Sequence, residues 1–157
     1  MDAAVIREAK GKDCEEIMQM IKDLARFEKM ESSVKIDAER LKTDLENGKF
    51  NCFVCQNVEE NIIVGYAMFV YTFDMKHGKK IYLEDLFIKE KFRSQGLGSK
   101  MWNALTAKGK EKGCSYLEFS VLNWNKDAIE FYNNRGCENH TLSENRQVFR
   151  FLTNNNI

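Results

Sequence analysis

Leu83-Glu84-Asp85-Leu86-Phe87-Ile88, followed after four residues by Arg93-Ser94-Gln95-Gly96-Leu97-Gly98-Ser99, decides how this chain is read. An apolar strand runs into a glycine-bearing turn, and an amphipathic helix leaves it. Gly96 and Gly98 carry no Cβ, so backbone amides there can come close to a ligand. The helix that follows places unpaired N–H groups and the positive end of its dipole at the same point. That combination suits a phosphorylated ligand. Two other glycine loops do not fit. A Gly-x-x-x-x-Gly-Lys-Ser/Thr loop fails because the order here is Gly98-Ser99-Lys100, with no glycine five positions earlier. A dinucleotide fingerprint needs three glycines in fixed spacing, and only two are present. A glycine turn that starts a helix and binds nothing remains the alternative from the loop alone.

The surrounding chain extends this pattern. Ala4 to Arg7 reads as a short strand. Asp13 with Glu16 three residues on forms a capping-box pattern, and Ile17, Met20, Ile21 and Leu24 follow at helical spacing. A second helix is expected from Asp37, with Ala38, Leu41 and Leu45 on one face and Asn47-Gly48 at its end. Three strands come next, Phe50 to Gln56, Ile62 to Phe73 and Lys80 to Ile88, rich in β-branched and aromatic residues. His77-Gly78-Lys79 reads as a hairpin-like turn between the last two. Leu97, Met101, Ala104 and Leu105 mark the inner face of the helix after the loop, which Gly113 closes. Tyr116 to Leu122 reads as a strand. Asn125 caps a helix carrying Ala128, Ile129 and Tyr132, and Gly136 stands at its C-terminal left-handed position. A last strand pair is expected around Glu138 to Thr141 and Gln147 to Leu152. The order is that of a mixed α/β sheet with one strand–helix–strand crossover.

At 157 residues the chain is expected to form a single domain, 1–157, with a substantial core. Lys plus Arg and Asp plus Glu number 24 each, so the balanced charge gives no general pull towards nucleic acid. No apolar run approaches membrane-spanning length, and the opening MDAAVIREAK lacks a signal-peptide core. The expectation is a soluble, cytoplasmic protein with no membrane or nucleic-acid partner. Cys14, Cys52, Cys55, Cys114 and Cys137 then read as reduced thiols. Cys52-x-x-Cys55 is half of a zinc pattern with no second half, and lies in an alternating strand context, so no metal site is expected.

The loop and the element order resemble the Gcn5-related N-acetyltransferase (GNAT) family, and three further segments carry the likeness. Asn123-Trp124-Asn125, Ala128-Ile129 and Phe131-Tyr132-Asn133-Asn134-Arg135-Gly136 are similar to that family's strand-to-helix segment ending in Phe-Tyr-x-x-x-Gly. Arg7-Glu8-Ala9-Lys10, Asp13-Cys14, Ile21 to Ala25 and Phe27-Glu28 resemble the opening of one branch, the diamine and polyamine acetyltransferases and their relatives acting on thialysine. Tyr82-Leu83-Glu84-Asp85 is similar to that branch's characteristic tetrapeptide. The resemblance implies a GNAT fold: a mixed, mostly antiparallel central sheet flanked by about four helices.

It also implies acetyl-CoA as co-substrate, with no metal. Backbone groups of Leu86, Phe87 and Ile88 would hold the pantetheine arm and polarise the thioester, a leading contribution in acyl transfer. Amides of Ser94, Gln95, Gly96, Leu97, Gly98 and Ser99 would hold the pyrophosphate, and Asn125, Lys126, Asp127 and Ala128 would contact the coenzyme further along. Tyr132, protonated at neutral pH with a free pKa of about 10, would also meet the coenzyme and protonate its departing sulfur; without the resemblance its place on the stripe with Ala128 and Ile129 reads as a core aromatic. Glu84 would accept the amine proton through water. Side chains alternate along a strand, so Glu84 and Asp85 are expected on opposite faces, with Asp85 in a supporting or binding role. Phe27, Glu28, Asp74, Glu118, Phe119 and Ser120 fall at amine-pocket positions.

The chain departs from the polyamine pattern at two places where that branch has tryptophan: Lys76, and Arg146 late in the chain. Both cations would repel a polyamine and suit an amine that carries a carboxylate, such as thialysine or lysine. The expected activity is therefore acetylation of a small free amine of that kind, with spermidine/spermine or diamine acetylation as the alternative and a non-catalytic coenzyme A-binding module as a remoter one. A homodimer is implied by the resemblance.

Overall fold

Strands buried on both faces read as nearly continuous apolar runs, and the β-rich middle of this chain does so for that reason. The structure, a computed structural model, describes residues 3–144 and 147–153. These fall into two compact units, one ending at Ser120 and one beginning at Val121. In the first unit, β1 (Ala4–Glu8), β2 (Asn51–Asn57), β3 (Ile62–Asp74), β4 (Gly78–Ile88) and β5 (Leu117–Glu118) form one sheet in that order. The first four strands are antiparallel, and β5 runs parallel to β4. Helices α1 (Cys14–Phe27), α2 (Ala38–Glu46) and α3 (Leu97–Glu111) belong to the same unit, α3 being the crossover from β4 to β5.

The helices cover the two faces. Leu97, Met101 and Leu105 of α3 pack with Phe53, Cys55, Val64, Ala67, Phe69, Ile81, Leu83 and Ile88. Ile17 and Met20 of α1 and Leu41 of α2 pack with Cys52, Val54, Ile63, Tyr66 and Phe87. Cys52 and Cys55 thus serve opposite faces of β2, which rules out a shared metal ion, and all five cysteines are free thiols.

Asp13 does not cap α1 with its side chain, and the expected box with Glu16 does not form. The Asp13 carboxylate accepts instead from Arg7 at 2.8 and 2.9 Å and from the Lys10 amide at 2.7 Å, and Glu16 accepts from the Ile63 amide at 3.1 Å. Burial alone would raise the Asp13 carboxyl; Arg7 and Lys10 outweigh it and hold it below the usual range. A long-range partner of full charge has displaced a local cap. Asp37, by contrast, caps α2 through the Arg40 amide as expected.

In the second unit α4 (Lys126–Asn133) is capped by Asn125, and Gly136 takes the left-handed conformation at φ 75°. The expected strand Tyr116–Leu122 is reduced to Leu117–Glu118. The expected final strand pair is absent from the described residues. Asn139 accepts from the Thr141 amide and opens a one-turn helix, α5 (His140–Ser143), and 147–152 carries no regular structure. Val148, Phe149 and Phe151 are 97%, 87% and 88% exposed, so no described element supplies the burial that a strand there would need. No described helix is long and apolar enough to cross a membrane.

Candidate active site

β5 pairs with β4 only at Ile81 and Tyr82. From Leu83 to Ile88 the outer edge of β4 has no strand neighbour among the described residues, so the outward-pointing backbone groups of Leu86 and the Ile88 amide are open to a ligand, whereas the Phe87 carbonyl faces Gly65 of β3. Arg93 ties the following loop to the strand end, donating Nε to the Ile88 carbonyl at 2.8 Å with its guanidinium 5.4 Å from the Phe87 ring. Phe92 anchors the same loop in the core at 6% exposure. The next residues turn sharply. Ser94 has φ 59° and Gly96 has φ 78°, the first a left-handed conformation that costs a non-glycine residue about 1 kcal/mol or more. A Cβ at Gly96 would meet nothing within 4 Å, so the position is open as well as left-handed. Gly96 is the N-cap of α3 and supplies no side-chain cap; the first helical bond runs from the Lys100 amide to its carbonyl at 3.0 Å. Ser94 to Ser99 therefore present an uncapped helix start at the end of the open strand edge, a geometry that fits a pyrophosphate.

The register of β3 against β4 shifts between Met68 and Phe69: Phe69 faces Leu83 and Met68 faces Asp85, leaving Glu84 as the extra residue of a β-bulge. Leu83 and Leu86 both pack on the α3 face, so Glu84 and Asp85 between them lie together on the other face. This overturns the alternation expected from an unbroken strand. Glu84 is exposed and Asp85 half-buried. Asp85 Oδ2 accepts from the Tyr66 hydroxyl at 3.0 Å, and Tyr66 is fully buried against Phe87, ring centroids 6.1 Å apart. Burial first, then the charges of Glu84 and Glu28, push the Asp85 carboxyl up to about 6, against the opposing Tyr66 bond. Burial likewise raises Glu28, at the end of α1 beside the half-exposed Phe27. Three carboxylates from two elements therefore converge.

Asp74 is engaged elsewhere. Its carboxylate accepts from the Tyr116 hydroxyl and the Lys76 amide at 2.7 Å each and from the His77 amide at 2.9 Å, which closes the β3–β4 turn and drives the carboxyl far below its usual range. Lys76 is exposed in this turn. Arg146 lies outside the described residues. Glu118 holds Lys80 at 3.1 Å on the carboxylate face of the sheet. Phe119 is turned to the other face and packs edge-on against Trp102, centroids 6.0 Å apart; Ser120 is exposed.

In the second unit, Asn125 Oδ1 accepts from the Ala128 amide at 3.3 Å. Lys126 and Asp127 are exposed on the first turn of α4, and Ala128 and Tyr132 are half-buried. The Tyr132 ring stands edge-on to Phe131 at 5.2 Å, and the Arg135 guanidinium lies 3.4 Å from the Phe131 ring centre. Tyr66 is the residue that sequence reasoning missed. A single tyrosine in an apolar strand reads as a core aromatic, and the bulge that brings Asp85 within reach of it has no local signature.

An open edge on a central strand, a following glycine turn with an uncapped helix start, and carboxylates at a bulge beside them suit a protein that handles a phosphorylated carrier and a cationic group. The chain belongs to the acetyltransferase (GNAT) family, which it matches over residues 14–137, and is an N-acetyltransferase; the family uses acetyl-CoA as co-substrate. Thialysine N-epsilon-acetyltransferase of Sus scrofa is 37% identical over 159 residues, covering 96% of this chain and 94% of that protein. Spermidine/spermine N(1)-acetyltransferase-like protein 1 of Homo sapiens is 32% identical over 158 residues, covering 96% of this chain but 23% of that longer protein. Among solved structures, an aminoglycoside acetyltransferase from an uncultured soil metagenomic sample shares the fold with a TM-score of 0.74 at 22% identity, over 98% of this chain and 97% of that one.

Proposed function

We propose that this enzyme acetylates the primary amine of a small free amine that carries a carboxylate, of the thialysine or lysine type. The convergence of Glu28, Glu84 and Asp85 beside the open β4 edge carries this reading, since those acids attract an ammonium group to the place where the thioester would lie. The similarity to thialysine acetyltransferases over nearly the whole chain supports the carboxylate-bearing substrate.

In this reading the outward-pointing backbone groups of Leu86 and Ile88 hold the pantetheine arm and polarise the thioester carbonyl, and Phe87 between them keeps its backbone bonded to β3. The amides from Ser94 to Ser99 hold the pyrophosphate, with Asn125, Lys126, Asp127 and Ala128 further along. Asp85 binds the ammonium group, and Glu84 accepts its proton through water. The neutral nitrogen then attacks; the N–C bond forms, the C–S bond breaks, and Tyr132 gives its proton to the leaving thiolate. Holding both reactants together supplies much of the rate. Phe27, Asp74, Glu118 and Ser120 complete the acceptor side, Asp74 by holding the turn, while Phe119, turned to the α3 face, drops out of the expected pocket. A homodimer working in the cytoplasm belongs to the same reading.

The three acids equally favour a polycation, which keeps a spermidine or diamine substrate as the second reading. Coenzyme A thiol release from acetyl-CoA, measured with thialysine, lysine, spermidine and putrescine separately, decides between them. Thialysine or lysine reacting best supports the proposal; spermidine reacting best replaces it with the second reading; no release with any of the four removes both.

A further inference from the structure

Tyr66 stands at 0% exposure with its hydroxyl on Asp85 Oδ2, at a place where a phenylalanine would fill the same hydrocarbon space. Burying a hydroxyl and a carboxylate together is unfavourable compared with an apolar pair, so packing does not explain the choice. The bond fixes one oxygen of Asp85. Oδ1 has no hydrogen-bond partner among the described residues, on the face where Glu84 and Glu28 also stand.

We propose that Tyr66 is a positioning residue, its hydroxyl orienting Asp85 so that the free oxygen binds the acceptor ammonium, takes its proton first and hands it through water to Glu84. This rests on the amine-acetylating reading and adds the first stop on the proton's route. One proton leaves R–NH₃⁺, giving R–NH₂ and a carboxylic acid at Asp85; the acid passes that proton to the Glu84 carboxylate and on to solvent, and no electrons change hands. The groups facing Asp85 are Tyr66 from β3, Glu84 from β4 and Glu28 from the end of α1; Cys52 from β2 stands near the Asp85–Tyr66 pair. Burial with Glu84 and Glu28 places the Asp85 carboxyl near 6, where a base works well at neutral pH. The Tyr66 bond favours the ionised form, so removing it raises Asp85 further.

The test compares kcat/KM for the best amine against pH in the wild type, Tyr66→Phe and Asp85→Asn. The acidic limb, expected near 6 in the wild type, moves up by about one pH unit in Tyr66→Phe, the scale of a lost hydrogen bond to a charged group. The KM for acetyl-CoA stays unchanged, and Asp85→Asn abolishes the limb. A fall in kcat/KM that is equal at every pH in Tyr66→Phe indicates a structural role and overturns the inference. Carbon-13 carboxyl NMR of Asp85 in the wild type and Tyr66→Phe reads the same pairing without turnover. Identical Asp85 titrations in the two proteins overturn the inference even if the enzyme is active; a wild type inert to all four amines defeats the functional reading while leaving this comparison decisive for Tyr66.

Discussion

Replacing Asp85 with asparagine should stabilise this protein at neutral and alkaline pH. The folded state raises the Asp85 carboxyl from its ordinary 3.8 to about 6, by burial first and by Glu84 and Glu28 next. A carboxyl raised on folding favours the folded state fully below about pH 4 and loses that contribution as pH climbs through 6. Above pH 7 the ionised group therefore holds back about 3 kcal/mol. Asparagine stays neutral at every pH and its side-chain oxygen still accepts from Tyr66. The Asn variant should match the wild type near pH 4 and exceed it by about 2–3 kcal/mol at pH 8, which is large against typical total stabilities of about 5–15 kcal/mol. Urea unfolding followed by circular dichroism at half-unit steps from pH 4 to 8 measures the difference directly. A difference that is flat across this range, or a variant less stable at pH 8, would refute the reasoning. The expected accompaniment is lost turnover, since a site that keeps a strained carboxylate for function commonly does so against stability.

Tyr132→Phe should lower kcat by about 10²–10⁴-fold, the usual worth of a general acid, with acetyl-CoA binding little changed by calorimetry; unaltered turnover would remove Tyr132 from the mechanism. Asp13→Ala strips Arg7 and the Lys10 amide of their shared acceptor, whose side chain is 6% exposed, and should cost about 3 kcal/mol in urea unfolding. Because the Asp13 carboxyl is held below its usual range, this contribution is complete above about pH 4 and fades as pH falls through the lowered value. Gly65→Ala would place a Cβ 2.7 Å from the Phe87 carbonyl oxygen. Forcing β4 from β3 there should destabilise by about 1–3 kcal/mol and raise the KM for acetyl-CoA, seen by thermal melts and steady-state kinetics.

Much of this fold is legible because its signals are local. Ile17 and Met20 recur at helical spacing, Asp37 and Asn125 cap the helices they precede, and Gly48, Gly96, Gly113 and Gly136 all take the positive φ that their places at helix ends require. The phosphate-suited turn is equally local, a glycine pair between an apolar strand and a helix. Other features depend on distant partners. Asp13 has the sequence of a cap, yet Arg7 claims it across a strand-to-helix turn. Gln147 to Leu152 has the residue types of a strand, yet the segment carries no regular structure and Val148, Phe149 and Phe151 stay exposed, because strand formation depends on a distant partner and not on composition.

By itself the sequence determined the order of elements as far as α4, the open loop after β4 and the residue types of the chemistry. Only the tertiary structure decided which side chains share a face. The β3–β4 turn alone would set Tyr66 opposite Leu86, and the bulge at Glu84 sets it opposite Phe87 instead, turning Glu84 and Asp85 to one side. A bulge is a one-residue offset between two paired strands, and it arises from how both faces of the sheet are filled, so no single strand's pattern contains it.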